Sequence, residues 1–384
     1  MKHLIIVITA LISSLFGLTQ ESVTVSAVAS ILRPTIMQEA AWAMKQQPET
    51  VTAAHSQRSA GGRHDFFSEG DYWWPDPKHP DSPYVQRDGH TNPDNFVAHR
   101  KAMIRFSRIV GALASAYMLT REQKYADHAL LHCKAWFIDT ATLMNPHLLF
   151  AQAIKGRVTG RGIGIIDTIH FMEVVQALSV FDRAGVADRG DMERIRHWFE
   201  SYLNWLTTHP YGIAEMNAAN NHGTCWVMQV SSFAMFTKNK ELVAFCRDRY
   251  RKVLLPSQMD ENGSFPLELK RTKPYGYSIF NLDAMTAICQ ILGEDLWHFK
   301  TDSRSIHKGI EYLYPYIKNK SKWPLPPDVM YWEEWPVAPP FLVFGALKFD
   351  NREWFDTWQK LNHAPTNEEV IRNLPIRNPL IWLQ

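Results

Sequence analysis

The stretch FVAHRKAMIRFSRIVGALASAYML, residues 96–119, decides the fold class. Within it Ile104, Phe106, Ile109, Leu113 and Tyr117 recur mostly at three- and four-residue spacings, the signature of an amphipathic helix. The same periodicity returns over 123–137, 165–181, 191–206, 223–236, 240–254, 278–292, 305–317, 340–347 and 352–361. Thr120, Asp191 and Ser305 fit as starts or stops, and Gly185 and Gly293 as terminators. No set of short alternating segments with hairpin turns is present, so an all-β architecture is excluded. An all-α chain of such helices forms either a bundle or solenoid, or a ring of helical hairpins. No repeat of fixed period speaks for a regular solenoid, and no linker divides the helical part, so one domain is expected.

Two regions interrupt the helical rhythm. Residues 61–95 are rich in Pro, Gly, Asp and aromatics and contain Tyr72-Trp73-Trp74-Pro75-Asp76-Pro77. Residues 318–340 contain Trp323-Pro324, Pro326-Pro327 and Tyr331-Trp332-Glu333-Glu334-Trp335. Long ordered loops on a helical scaffold either carry function or seal the scaffold's ends.

The 384 residues are 46% hydrophobic and carry a formal charge of +2, enough apolar material for a sizeable core. No basic excess or basic run points to nucleic acid. At the N-terminus, Lys2 and His3 precede an apolar run from Leu4 to Leu18 and then small residues at Ser26, Ala27 and Ala29. This reads as a signal peptide over about residues 1–27, with the mature domain following over 28–384. Export to the periplasm or outside is expected, with no membrane anchor after cleavage. Cys133, Cys225, Cys246 and Cys289 are widely spaced within apolar helical patterns and read as buried free thiols. No CxxC, HExxH or clustered Cys/His spacing argues for a metal, and no cofactor is expected.

Chemistry concentrates in two segments. Asn217-Ala-Ala-Asn220-Asn221-His222-Gly223-Thr224-Cys225-Trp226 stands at the mouth of an expected helix. Asn221 can donate an amide hydrogen to a carboxylate, and His222 can accept or hold a proton near neutral pH, although a capping Asn beside a structural His fits equally. Pro266-Leu267-Glu268-Leu269-Lys270-Arg271-Thr272-Lys273-Pro274-Tyr275-Gly276-Tyr277-Ser278 leads into another helix. A phenol near its ordinary pKa of about 10 is a poor base at neutral pH, so Tyr277 needs a cation such as Arg271 beside it.

Together with Asp260-Glu-Asn-Gly263-Ser-Phe-Pro266 and Tyr277-Ser-Ile-Phe-Asn281-Leu-Asp-Ala284-Met, these segments resemble the signature blocks of the alginate lyase superfamily. Trp73-Trp74-Pro75-Asp76-Pro77, Arg87-Asp88-Gly89-His90 and Asn92-Pro93 resemble a block of one branch, polysaccharide lyase family 38, which acts on glucuronan or alginate. The resemblance covers most of the chain after about residue 60. It departs from the family 5 alginate lyases in a shorter step from Arg271 to Tyr277 and in Tyr277-Ser278 where those carry Tyr-His.

The resemblance implies a single-domain (α/α)n toroid, an incomplete barrel of helical hairpins, that cleaves 1,4-linked uronic-acid polymers by β-elimination. The partner would be an anionic uronate polysaccharide, glucuronan or alginate. Tyr277 would be the catalytic acid and also a base, His222 a base or proton-holding partner, Asn221 the carboxylate neutraliser and Arg271 the electrostatic support. By residue type, Trp73, Trp74, Tyr84, Arg87, His90, Arg157, Arg161 and Tyr275 are candidates to line substrate subsites, and the Gly-rich basic segment 156–164 reads either as a flexible cover or as a solvated connection. His170, on an apolar face, reads as a core histidine. A glycoside hydrolase on the same ring would instead use a carboxylate pair drawn from Asp76, Asp88, Asp94, Glu268, Glu333 and Glu334. A carbohydrate-binding protein would use the aromatic loops alone.

Overall fold

A computed structural model describes residues 22–383. The leader expected over 1–27 lies mostly outside the described residues. The helices are α1 (Val25–Ala43), α2 (Ala98–Thr120), α3 (Gln123–Phe137), α4 (Phe171–Arg183), α5 (Arg189–Thr208), α6 (Pro210–Met216), α7 (Asn221–Phe236) and α8 (Lys240–Arg249). They continue as α9 (Leu255–Gln258), α10 (Pro266–Leu269), α11 (Pro274–Leu292), α12 (Glu294–Trp297), α13 (Ile306–Lys318), α14 (Pro340–Lys348), α15 (Arg352–Trp358) and α16 (Glu368–Arg372).

The helices form two layers. α2, α4, α7, α11 and α14 pack one against the next as the inner layer. α3, α5, α8, α13 and α15 lie outside them, each against an inner helix or its neighbour. Composition explains the division. α7 and α11 are apolar on all sides and buried along nearly their whole lengths, as an interior helix must be, whereas α8 buries only Cys246. α2 is long and apolar enough to cross a membrane, but it is a core helix with most of its residues buried. The four cysteines are free and buried.

Between α1–α2 and α14–α15 the ring stays open around a cavity of about 420 Å³, bordered by the C-terminal segment. That segment's last turn, Pro379–Trp382, packs on α1, α2 and α4. Glu173 of α4 anchors it by accepting the backbone N–H groups of Arg377 and Asn378 and the Asn378 side-chain amide.

Several boundaries differ from the sequence reading. The helix expected over 165–181 is a 3-10 segment, Gly162–Thr168, followed by α4. The helix over 240–254 ends in a π turn, Tyr250–Leu254. Asp188 rather than Asp191 caps α5, accepting the Asp191 N–H. Helix α1 was not expected, because its apolar residues follow the leader-like run directly. Thr24 caps it, and Val28, Leu32, Ile36, Ala40 and Ala43 are buried. Residue 27 therefore falls inside a packed helix, and the Val23 N–H is bound to the Asp350 carboxylate at 2.9 Å.

The two long loops differ in use. Residues 61–95 contribute β1 (Phe67–Glu69), paired in parallel with β4 (Phe150–Ala153), and the antiparallel pair β2 (Trp73–Trp74) and β3 (Val85–Gln86). They lie over the ring mouth. Residues 318–340 form a buttress in which Trp323 and Trp332 pack edge-on against Tyr275.

Candidate active site

A cleft of about 400 Å³ opens at the ring mouth, lined among others by Tyr72, Trp73, Asp88, Arg161, Asn221, His222, Arg271 and Tyr277. Helix starts and loops supply these side chains, while the inner helices fix their positions.

At the start of α7, Asn220 is the cap: its side chain accepts the His222 N–H, and its carbonyl accepts the Gln258 side-chain amide at 2.9 Å. Capping by Asn220 leaves the side chains of Asn221 and His222 free for the cleft. Glu268 holds Asn221 from behind, accepting its backbone N–H at 2.8 Å and its side-chain Nδ2 at 2.7 Å. The acceptor-only carboxylate fixes which way the amide faces and leaves one Nδ2 hydrogen for a ligand. Burial pushes the Glu268 pKa up, and the two bonds from Asn221 only partly offset this.

His222 Nδ1 lies 2.6 Å from Glu215 Oε1, at the end of α6. Burial acts to lower the His222 pKa, but the Glu215 carboxylate, with a smaller contribution from Glu268, outweighs it and the net shift is upward. The Nδ1 hydrogen is thereby committed to Glu215, and Nε2 is the nitrogen left to exchange a proton.

Tyr277 sits in the first turn of α11. Pro274 starts this helix, and Asp328 caps it by accepting the N–H groups of Tyr275 and Gly276, both at 2.9 Å. The Tyr277 hydroxyl is 2.8 Å from that of Tyr72 and accepts from Arg271 Nη2 at 3.3 Å. Arg271 also stacks over the Tyr277 ring, 4.4 Å from its centroid, and forms a fork onto Asp88. Burial and the neighbouring Tyr72 hold the Tyr277 phenol well above its ordinary pKa; Arg271 opposes this without reversing it. The expected cation is in place, but Asp88 shares its charge, so Tyr277 rests as a phenol.

The floor is a buried ion network. Asp71 binds both Arg100 and Arg372, which keeps it ionised despite burial. Lys273 pairs with Glu369 at 3.1 Å and lies over the rings of Tyr72 and Tyr277. α16 thus brings Glu369 and Arg372 from the C-terminal segment up to the chemistry. His170 lies buried on this floor, and burial with the surrounding arginines lowers its pKa well below the ordinary value.

Of the residues expected to contact substrate, Trp73 and Arg161 line the cleft. The others do not. Tyr275 is fully buried with its hydroxyl on the Tyr316 carbonyl, because its position on α11 points into the 318–340 buttress. Trp74, Tyr84, Arg87, His90 and Arg157 build the overlying loop instead. Trp74 donates to the His90 carbonyl, Arg87 stacks on Trp74, and Arg157 donates to the Tyr84 carbonyl while stacking on Trp73. Segment 156–164 is divided: residues 156–159 are exposed, whereas Gly160 is buried, a Cβ there lying 1.9 Å from the Leu149 carbonyl oxygen.

Sequence reasoning missed Tyr72, Glu215, Lys273, Glu369 and Arg372. Glu215, seven residues before His222, and Lys273, four before Tyr277, had a local signal. Of the hydrolase candidates, Asp88 and Glu268 are committed to Arg271 and Asn221, and Asp76, Asp94, Glu333 and Glu334 lie outside the cleft lining. Among the described residues no group of three or more His, Cys, Asp or Glu is placed to hold a metal ion.

A helical toroid whose mouth gathers an amide, a carboxylate-backed imidazole, a guanidinium and a protonated phenol defines a polysaccharide lyase. The family model described as "Alginate lyase" matches residues 50–323, and the chain belongs to that family. An alginate lyase from Bacteroides ovatus has a crystal structure 29% identical to it, with a TM-score of 0.80 over 93% of this chain and 96% of that one. Alginate lyase A1-III from Sphingomonas species A1 shares the fold at 16% identity, with a TM-score of 0.53 over 82% of this chain and 86% of that one. A histidine-to-alanine variant of A1-III complexed with tetrasaccharide gives 17% identity and a TM-score of 0.57, over 86% and 88%. No curated protein sequence matches the chain significantly.

Proposed function

We propose that this chain cleaves 1,4-linked uronans, alginate or glucuronan, by β-elimination and leaves 4,5-unsaturated uronate ends. The carrying observation is the convergence of Asn221, the Glu215–His222 pair, Arg271 and Tyr277 on one cleft. In the reaction a base removes the C5 proton, the C5 electron pair forms the C4=C5 bond, the C4–O4 bond breaks and O4 takes a proton. The C5 proton is acidic enough only when the adjacent carboxylate is neutralised. The free Nδ2 hydrogen of Asn221, with Arg271, suits that task.

Tyr277, resting protonated, is the acid for O4. In guluronate the C5 proton and O4 leave from opposite sides, and His222 Nε2 is then the base, its Nδ1 hydrogen held by Glu215. In mannuronate and glucuronate they leave from one side. Tyr277 then serves both steps: its hydroxyl first loses its proton to solvent, the phenolate, stabilised by hydrogen bonds from Tyr72 and Arg271, takes the C5 proton, the re-formed phenol passes that proton to O4, and the phenolate left regains one from solvent. These two sugars differ at C2, away from the bond broken, so the four residues act on either. The name of the Bacteroides ovatus relative favours alginate, and the Trp73-Trp74-Pro75-Asp76-Pro77 block resembles a branch that acts on either polymer. Ultraviolet absorbance of the unsaturated product, measured on glucuronan, polymannuronate and polyguluronate, tests this: product from at least one is expected, and none from any would overturn it. We also infer export, with the leader removed before Ser22, because the chain from Ser22 onward is packed.

A further inference from the structure

Same-side elimination makes a demand that the four central residues meet only in part. Tyr277 must pass through a phenolate, yet burial and Tyr72 hold its proton, and Asp88 shares the charge of Arg271. A second cation stands beside both phenols. Lys273 immediately precedes the first turn of α11, and its carbonyl accepts the Tyr277 N–H at 3.0 Å. Its ammonium lies 5.2 Å from the centre of the Tyr72 ring, 5.7 Å from that of Tyr277 and 5.5 Å from that of Tyr331. The Tyr72 and Tyr277 hydroxyls are 2.8 Å apart, so a single negative charge on the pair is shared through that hydrogen bond.

Lys273 is buried, and a buried ammonium needs a counter-charge. Glu369 of α16 supplies it at 3.1 Å, but divides its carboxylate: the same oxygen accepts Arg372 Nη2 at 3.1 Å and Asn373 Nδ2 at 3.2 Å. Burial acts to lower the Lys273 pKa, but Tyr72 and Glu369 outweigh it, so the ammonium stays charged. Three sets of charges therefore face the phenol pair. Arg271 comes with Asp88, Lys273 and Arg372 come with Glu369, and Arg100 comes with Asp71 and Asp167. Asp328 and Tyr331 stand beside Lys273, and His222 and Arg161 line the cleft. Within this set Lys273 is the cation that reaches both rings with only a divided carboxylate to neutralise it.

We propose that Lys273, oriented by Glu369, is a positioning residue for the elimination: its ammonium stabilises the singly ionised state of the Tyr72–Tyr277 pair. Through Glu369, α16 ties the C-terminal segment to the proton transfer. The consequence for turnover rests on the elimination reading above; the coupling itself needs no substrate.

The test places difluorotyrosine, whose phenol ionises at lower pH than that of tyrosine, in place of Tyr277 in the full chain and follows its titration by fluorine NMR. Lys273→Met removes the positive charge and should raise the midpoint by about one pH unit, the size of shift expected from one nearby charge. Glu369→Gln keeps an acceptor for Lys273 and removes the opposing charge, so the midpoint should fall. A purely structural role gives no such opposition of sign. With the natural tyrosine, K273M should lower kcat/KM on glucuronan or polymannuronate about tenfold at a fixed pH on the rising limb, with KM little changed and the loss recovered at higher pH. Unmoved midpoints, midpoints that move the same way in both variants, or a loss that higher pH does not recover would overturn the proposal. If K273M does not fold, E369Q decides alone, and a midpoint that does not fall contradicts the coupling. Midpoints that shift as expected in an enzyme that forms no unsaturated product from any uronan would uphold the coupling and count against the elimination reading.

Discussion

At the level of single residues, burial and the neighbouring Tyr72 hold the Tyr277 proton in place, while Glu215 makes His222 more basic than a free imidazole. If His222 must be neutral to act, kcat/KM on polyguluronate rises with pH as it loses its proton, with the acid limb above the ordinary value of about 6.5. Replacing Glu215 with Gln removes the charge that raises this pKa, so the limb should move to lower pH while turnover falls. An unmoved limb would show that His222 is not the titrating base. The same shift has a stability consequence. The folded pKa is raised, so the Glu215–His222 contribution is fully present below about pH 6.5 and is lost as pH rises through the folded value.

Sequence alone placed Asn221, His222, Arg271 and Tyr277 because they lie in two short segments with recognisable neighbours. It did not place Tyr72, whose hydroxyl meets Tyr277 across 205 residues, or Asp88, which meets Arg271 across 183. Such partners are set by tertiary packing and leave no local spacing to read. Tyr275 was misassigned for a related reason: two residues along a helix turns a side chain to a different face, here from the cleft into the core.

Among elements, the start of α11 matters most, because its first turn carries Tyr277. Asp328 of the 318–340 loop accepts two of that turn's N–H groups while itself buried. Asp328→Ala should cost about 1–2 kcal/mol of stability, the usual range for a lost helix cap. It should also lower kcat more than it raises KM, since the phenol is displaced from the reacting atoms. Urea denaturation and steady-state kinetics check this; unchanged kcat in a destabilised protein would show that the cap serves folding alone. Periodicity made the helices legible, whereas the interior position of α7 and α11 came only from their packing. The split into a 3-10 segment and α4 was not legible, because Gly162–Thr168 continues the apolar pattern.

For the whole molecule, the ring is held together by segments from both ends of the described chain. The Val23 N–H and Ser22 hydroxyl bond to Asp350 just past α14, Thr24 caps α1, and the C-terminal segment is anchored on Glu173. A chain beginning at Ser22 should therefore be fully stable, whereas one beginning at residue 28 loses a cap, a buried valine and a charge-assisted bond. Those losses sum to about 3–5 kcal/mol before relaxation. Equal urea midpoints for the two chains would show that the first turn of α1 contributes nothing. The all-α ring could be read from the sequence; its N-terminal closure could not, because the apolar residues of α1 run on from a leader-like segment.

The central claim is that Tyr277 supplies the proton transfer of an elimination. Tyr277→Phe removes the hydroxyl and little else, leaving Arg271 on Asp88 and Asn221 on Glu268. On the uronan that wild type cleaves best, the variant should bind the polymer with near-normal affinity and form no detectable unsaturated product by ultraviolet absorbance. Near-normal turnover by Tyr277→Phe would contradict the account.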